Sequence, residues 1–146
     1  QAASKGIRLK AKVLQTLEVN ADPNSIRIVI RNLITNAIKF SRANDSITIS
    51  AGVQEDGYVL LSVKDTGVGM NEKQLNKLFK SKVDSGTGTN NEIGTGMGLL
   101  FCKDLIEKCN GKIWVQSEEG WGTEFFFTLP LAHVKEAETD LHPALA

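Results

Sequence analysis

The chain has 146 residues, with 17 basic and 17 acidic side chains and a formal net charge of zero. This length suits one domain with one core, and the charge balance leaves neither a basic nucleic-acid footprint nor an acidic-tail signature. Hydrophobic residues make up 41% and charged residues 23%, which is ordinary for a globular protein. No apolar run approaches the roughly 20 residues of a membrane span, and no signal-peptide pattern is present. The start at Gln1, without methionine, leads to the expectation of a fragment.

Ile7–Lys10 and Leu17–Val19 read as two short strands joined by a basic turn. Asn20-Ala21-Asp22-Pro23 ends the second strand and opens a helix, with Pro23 in its first turn. That helix runs to Phe40, because Ile26, Val29, Ile30, Leu33, Ile34, Ala37 and Ile38 recur at helical spacing. Ile47, Ile49, Ala51 and Val53 alternate with small polar residues as a half-buried strand. Glu55-Asp56-Gly57 turns the chain into a second strand, Tyr58–Lys64, which is apolar on both faces and hence central. Asn71 can cap a short helix carrying Leu75, Leu78 and Phe79.

The stretch from Lys80 to Ile93 lacks an apolar period, and a loop this long suggests a lid, a binding loop or disorder. A helix follows over Leu99–Cys109, closed by Asn110-Gly111. Lys112–Ser117 and Thr123–Leu129 form a last hairpin. The expected layout is one domain over residues 1–131 and a loose polar tail over 132–146. The fold class expected is α/β: a two-layer sandwich whose mixed, mostly antiparallel sheet is covered on one face by helices. Cys102 and Cys109 lie about 10 Å apart along one helix, too far for a disulfide, and read as reduced core thiols. A metal site built on His133, His142 and the cysteines is not expected.

Three features suggest chemistry. Gly94-Thr95-Gly96-Met97-Gly98-Leu99 places alternating glycines before a helix start. Bare backbone amides and the positive helix end can seat a phosphate, although a simple turn has the same composition. A Walker loop is excluded because Gly-Lys-Ser/Thr is missing. A dinucleotide fingerprint is excluded because no strand precedes the glycines. Asn32, Asn36 and Lys39 form a polar line on the long helix, either a solvated face or a ligand face. Amide oxygens suit Mg²⁺, and lysine suits phosphate. Asp65-Thr66-Gly67-Val68-Gly69-Met70 ends a strand. Asp65 either closes a turn or accepts from an exocyclic amine at a pocket base, with glycines letting a flat ring approach. An aspartic protease is disfavoured because no second Asp-Thr-Gly exists.

The order Asn32…Asn36…Lys39-Phe40, Asp65…Gly67…Gly69-Met70, Phe79, Gly94…Gly96…Gly98-Leu99 and Gly120-Trp121-Gly122-Thr123 resembles the N, G1, F and G2 boxes and last-hairpin motif of sensor histidine kinases. It resembles their catalytic ATP-binding domain, the Bergerat fold shared with type II topoisomerases and mismatch-repair ATPases. The resemblance covers Ala3 to Leu131. It implies Asn36 as a Mg²⁺ ligand, Asn32 on phosphate or metal water, Lys39 on phosphate and Phe40 beside the nucleotide. It implies Asp65 as acceptor from adenine, Gly67, Gly69 and Met70 lining the base, and Thr123 supporting Asp65 and its water. Lys80–Ile93 would be the ATP lid and Gly94–Leu99 the phosphate loop, with Phe79 at the lid's start. Lys80 or Lys82 would stand in for the lid arginine that many members carry, without its bidentate fork.

The resemblance implies an ATP-dependent protein histidine kinase domain that has been separated from its phosphoacceptor. It would bind Mg·ATP and pass the γ-phosphoryl group to a histidine on a separate dimerisation domain, and through it to a response regulator. It would be cytoplasmic, including as the cytoplasmic part of a membrane-anchored sensor, with no membrane or nucleic-acid contact of its own. The rivals are a hydrolytic ATPase of the same fold, which would hold a carboxylate at position 32, and a nucleotide-binding module without turnover.

Overall fold

The structure is a computed structural model and describes residues 5–13, 16–79 and 98–135. The expected lid with Lys80 and Lys82, the glycines Gly94 and Gly96 with Thr95 and Met97, and the end of the tail lie outside the described residues. The chain runs β1 (Arg8–Val13), β2 (Thr16–Val19), α1 (Pro23–Phe40), β3 (Ser46–Val53), β4 (Tyr58–Asp65), α2 (Glu72–Lys77), α3 (Gly98–Lys108), β5 (Ile113–Glu118) and β6 (Gly122–Lys135).

α1 matches its expected span and shows why. Asp22 caps it, accepting from the Ser25 N–H at 3.3 Å and the Ser25 hydroxyl at 2.9 Å, and Pro23 opens the first turn. The stripe buries Val29, Leu33, Ala37 and Ile38. α2 has the expected Asn71 cap as a full capping box with Gln74. It stops before Leu78, so Phe79 lies past the helix with a φ of 65°.

The six-stranded sheet has the order β1–β3–β4–β6–β2, with β5 also paired to β6. β1 lies parallel to β3, and every other described pair is antiparallel. β4 is central, as its two apolar faces require. β4 occupies one edge of β6, and β5 and β2 follow each other along the other. Thr128 N–H donates to Lys112 O and Asn20 N–H donates to Pro130 O on that shared edge. Pro130 falls at the junction of β5 and β2, where a missing N–H costs no ladder bond.

α1 and α3 pack on each other and on one sheet face, α1 against β3 and β4, α3 against β5 and β6. Val29, Leu33, Cys102 and Ile106 from the helices meet Ile47, Val63, Phe125, Phe127 and Leu129 from the sheet. On the opposite face Trp114 stacks on Phe126 at 5.4 Å and 12°. Cys102 is buried, Cys109 is half-buried, and both are free thiols.

Two strands run several residues past their expected ends. β1 continues to Val13, because the parallel ladder with β3 pairs Ala11 and Lys12 as well as the apolar positions. β6 reaches Lys135, past the expected domain end at Leu131, because β2 supplies a backbone partner as far as Lys135. Ladder bonds join backbone groups, so the polar composition that suggested a loose tail does not prevent them.

Candidate functional site

The site gathers where the C-terminal half of α1, the end of β4 and the start of β6 converge. Asp65 is the last residue of β4 and is 2% exposed. Ile47, Asp65, Thr123 and Ser117 are direct cross-strand partners in β3, β4, β6 and β5. Antiparallel partners share a sheet face, so these four side chains form one row.

The Asp65 carboxylate accepts the Gly67 N–H at 2.9 Å and the backbone N–H of Thr123. Burial dominates its ionisation and pushes its pKa from 3.8 up to about 6. The two amides pull it down and the nearby Asp45 charge adds to the rise. The remaining lone pairs of a carboxylate so placed suit a hydrogen-bond donor on a ligand.

The loop after Asp65 passes between two walls that leave no room for side chains. A Cβ on Gly67 would lie 2.2 Å from the Phe40 carbonyl oxygen, whose lone pair already takes the Val68 N–H at 3.1 Å. A Cβ on Gly69 would lie 2.0 Å from the Glu118 carbonyl oxygen, and its φ of 72° favours glycine independently. The β5–β6 turn leans on this loop through Gly120 N–H to Val68 O at 2.8 Å, leaving Trp121 77% exposed. Thr66 fixes the other side, accepting Ser46 N–H at 3.0 Å and donating to Asp45 at 3.3 Å.

The polar line of α1 is present, but its members differ in surroundings. Asn32 and Asn36 are half-buried. The Asn32 amide nitrogen donates to Cys102 Sγ of α3 at 3.6 Å, which leaves its oxygen as the atom available to a ligand. Burial raises the Cys102 thiol pKa, and this bond offsets part of that rise. Lys39 is 5% exposed, with its ammonium 4.9 Å from the Phe40 ring centroid. Lys5 donates to the Ile38 and Lys39 carbonyls at 2.8 and 3.3 Å, covering the end of α1.

Met70 is buried in the core, and its N–H donates to Ser117 Oγ at 2.8 Å. Phe79 packs edge-to-face on Phe125 at 6.4 Å, anchoring the chain where the expected lid begins. Gly98 and Leu99 form the first turn of α3. Lys39, Phe40, Asp65, Gly67 and Thr123 thus come together where α1 and β4 end, Asn32 lies at mid-helix against α3, and Phe79 lies against Phe125 of β6. Ser117 was not expected there. The only signal was strand alternation, which places Ser117 opposite Thr123 once the hairpin register is known.

Residues 21–133 match the family described as histidine kinase-, DNA gyrase B-, and HSP90-like ATPase. The chain belongs to this family. The adaptive-response sensory kinase SasA of Prochlorococcus marinus is 36% identical over 129 residues, 88% of this chain and 34% of that protein. The sensor histidine kinase RcsC of Escherichia coli K12 is 42% identical over 115 residues, 77% of this chain and 12% of that protein. The chain therefore spans a third of the length of one relative and far less of the other.

A nucleotide-free catalytic domain of histidine kinase ThkA superposes with a TM-score of 0.75 at 30% identity, over 88% of this chain and 82% of that one. Full-length ShkA in complex with AMPPNP gives 0.77 at 30% identity, over 90% of this chain and 27% of that one. Within the family, the chain is a histidine kinase catalytic domain with the expected α/β architecture. No described helix of this domain is long and apolar enough to cross a membrane.

Proposed function

We propose that the domain binds Mg·ATP with the adenine amino group against Asp65 and donates the γ-phosphoryl group to a histidine on a separate dimerisation domain. The observation that carries this reading is the Asp65 carboxylate, buried at a strand end beside a loop cut to backbone by Gly67 and Gly69. A buried acceptor with lone pairs left over calls for a donor, and membership of an ATPase family supports the base of ATP in that role.

The residues present fit a magnesium ion. Asn36 offers a hard amide oxygen on the polar line of α1, and the Asn32 oxygen is left available by its bond to Cys102. Among the described residues no His, Cys, Asp or Glu cluster would hold a cation alone. The nucleotide phosphates would therefore complete the ligand set. Bound metal supplies charge neutralisation on the phosphates, and Lys39 adds a cation at the same end of the helix. Phosphoryl transfer needs mainly positioning and charge, so a domain without its own nucleophile is sufficient. The phosphorylated histidine would in turn serve a response regulator. The work of the domain would be cytoplasmic, with its lid over residues 80–93 and its phosphate loop over 94–99.

The test is incubation with labelled Mg·ATP, with and without a helical domain bearing a histidine. Acid-labile phosphate on that domain is the expected result. Rapid phosphate release with no protein phosphate favours the hydrolytic rival, and binding without either product favours the non-turnover module. Asn32 weighs against hydrolysis, because an amide cannot accept the proton of an attacking water.

A further inference from the structure

Ser117 sits at the crossing of three chain segments, and its hydrogen bonds leave it no freedom. Its Oγ lies 2.8 Å from the Gly122 carbonyl oxygen, 2.8 Å from the Met70 amide nitrogen and 2.7 Å from Thr123 Oγ1. A carbonyl only accepts, so the single Ser117 proton goes to Gly122. An amide only donates, so Met70 occupies one Ser117 lone pair. The second lone pair must then receive the Thr123 hydroxyl proton, because Ser117 has no proton left to give.

This assignment has a consequence for the row of side chains. Thr123 directs its proton along the sheet toward β5, on the side away from Asp65 in β4. Its oxygen therefore presents only lone pairs to any further partner. The ionised Asp65 beside it also only accepts. Two neighbouring, buried oxygens that accept and cannot donate suit an amino group and repel an oxo group.

We propose that Ser117 sets nucleobase selectivity as a positioning residue, by holding the Thr123 hydroxyl proton away from the base. The inference rests on the reading of Asp65 as the adenine acceptor. Removing the Ser117 oxygen frees Thr123 to turn its proton toward the base side. A 6-oxo purine then finds a donor that the wild-type site withholds.

The experiment compares ATP with inosine triphosphate, which carries oxygen where adenine carries the amino group. Calorimetry on the whole chain gives both affinities for the wild type, Ser117→Ala, Ser117→Thr and Thr123→Val. The wild type should prefer ATP. Ser117→Ala should lower the ATP-to-ITP affinity ratio by about tenfold, the scale of one buried hydrogen bond. Ser117→Thr keeps the hydroxyl and should restore the ratio.

Thr123→Val removes the fixed acceptor without touching the other Ser117 bonds. It should lower the ratio even if Ser117→Ala does not fold. A residue that only braces the loop would weaken both nucleotides alike. An unchanged ratio in Ser117→Ala, or in Thr123→Val, overturns the inference. A wild type that binds ATP and ITP equally overturns the reading of Asp65 together with it. A selective wild type whose ratio survives the substitutions overturns the Ser117 inference alone.

Discussion

Asp65 should make the domain less stable when it is most competent to bind. Its pKa stands at about 6 in the folded chain against an ordinary 3.8. As pH falls, the folded protein therefore takes up this proton before the unfolded chain does. Unfolding free energy rises as pH falls through that window and declines as pH rises through it. For one such group the change between about pH 8 and about pH 4.5 is about 2 kcal/mol. Asp65→Asn is neutral throughout and loses this dependence. Other carboxylates titrate in the same range, so the informative quantity is the difference between variant and wild type. Urea unfolding at both pH values should show the difference moving by about 2 kcal/mol in favour of the wild type at the acid end. The same variant should bind ATP far more weakly, because its amide cannot replace the carboxylate without turning a donor toward the base. Parallel stability curves would refute the claim that burial of this charge costs the fold anything. Undiminished ATP affinity would refute the adenine contact.

ATP affinity of the wild type should fall as the medium is acidified below about pH 6, by about tenfold per pH unit, as Asp65 gains a proton; a flat calorimetric profile contradicts this. Gly67→Ala should destabilise the domain by about 1–3 kcal/mol and impair binding, because its new Cβ meets backbone rather than a movable side chain. Thermal melts that match the wild type would show that the Phe40 wall yields. Leu33→Ala in the helix–sheet core should cost about 2–5 kcal/mol without altering the site chemistry, read by urea titration. Phosphate release by the isolated wild-type domain should be slow, and Asn32→Glu should raise it by placing a carboxylate beside the polar line of α1. Single-turnover release unaltered by the substitution would refute the claim that the Asn32 amide limits hydrolysis.

The parts of the fold legible in the sequence are those specified locally. Asp22, Pro23 and the stripe from Ile26 to Ile38 define α1 by themselves, and both faces of Tyr58–Lys64 announce a central strand. Asp65, Gly67 and Gly69 were legible because a carboxylate and two glycines at a strand end form a recognisable pattern. What stayed hidden depends on pairing across long separations. Asn32 meets Cys102 across 70 positions, which helix periodicity cannot reveal. The end of β6 looked like a tail because its partner, β2, lies near the other end of the chain. Ser117 reads as an ordinary hairpin serine until register sets it opposite Thr123 and the loop brings Met70 to it.

The domain contains two tryptophans, and the fold gives them different environments. Trp114 lies against Phe126 on the sheet face away from the helices, removed from the row that holds Asp65. Trp121 projects into water from the turn that rests on Val68 and Gly69. A movement of that loop that changes the contact of the Trp121 indole with water should shift its emission. The domain thus carries its own optical probe of the loop that follows Asp65, and a Trp114→Phe variant would leave that probe as the sole source of indole light.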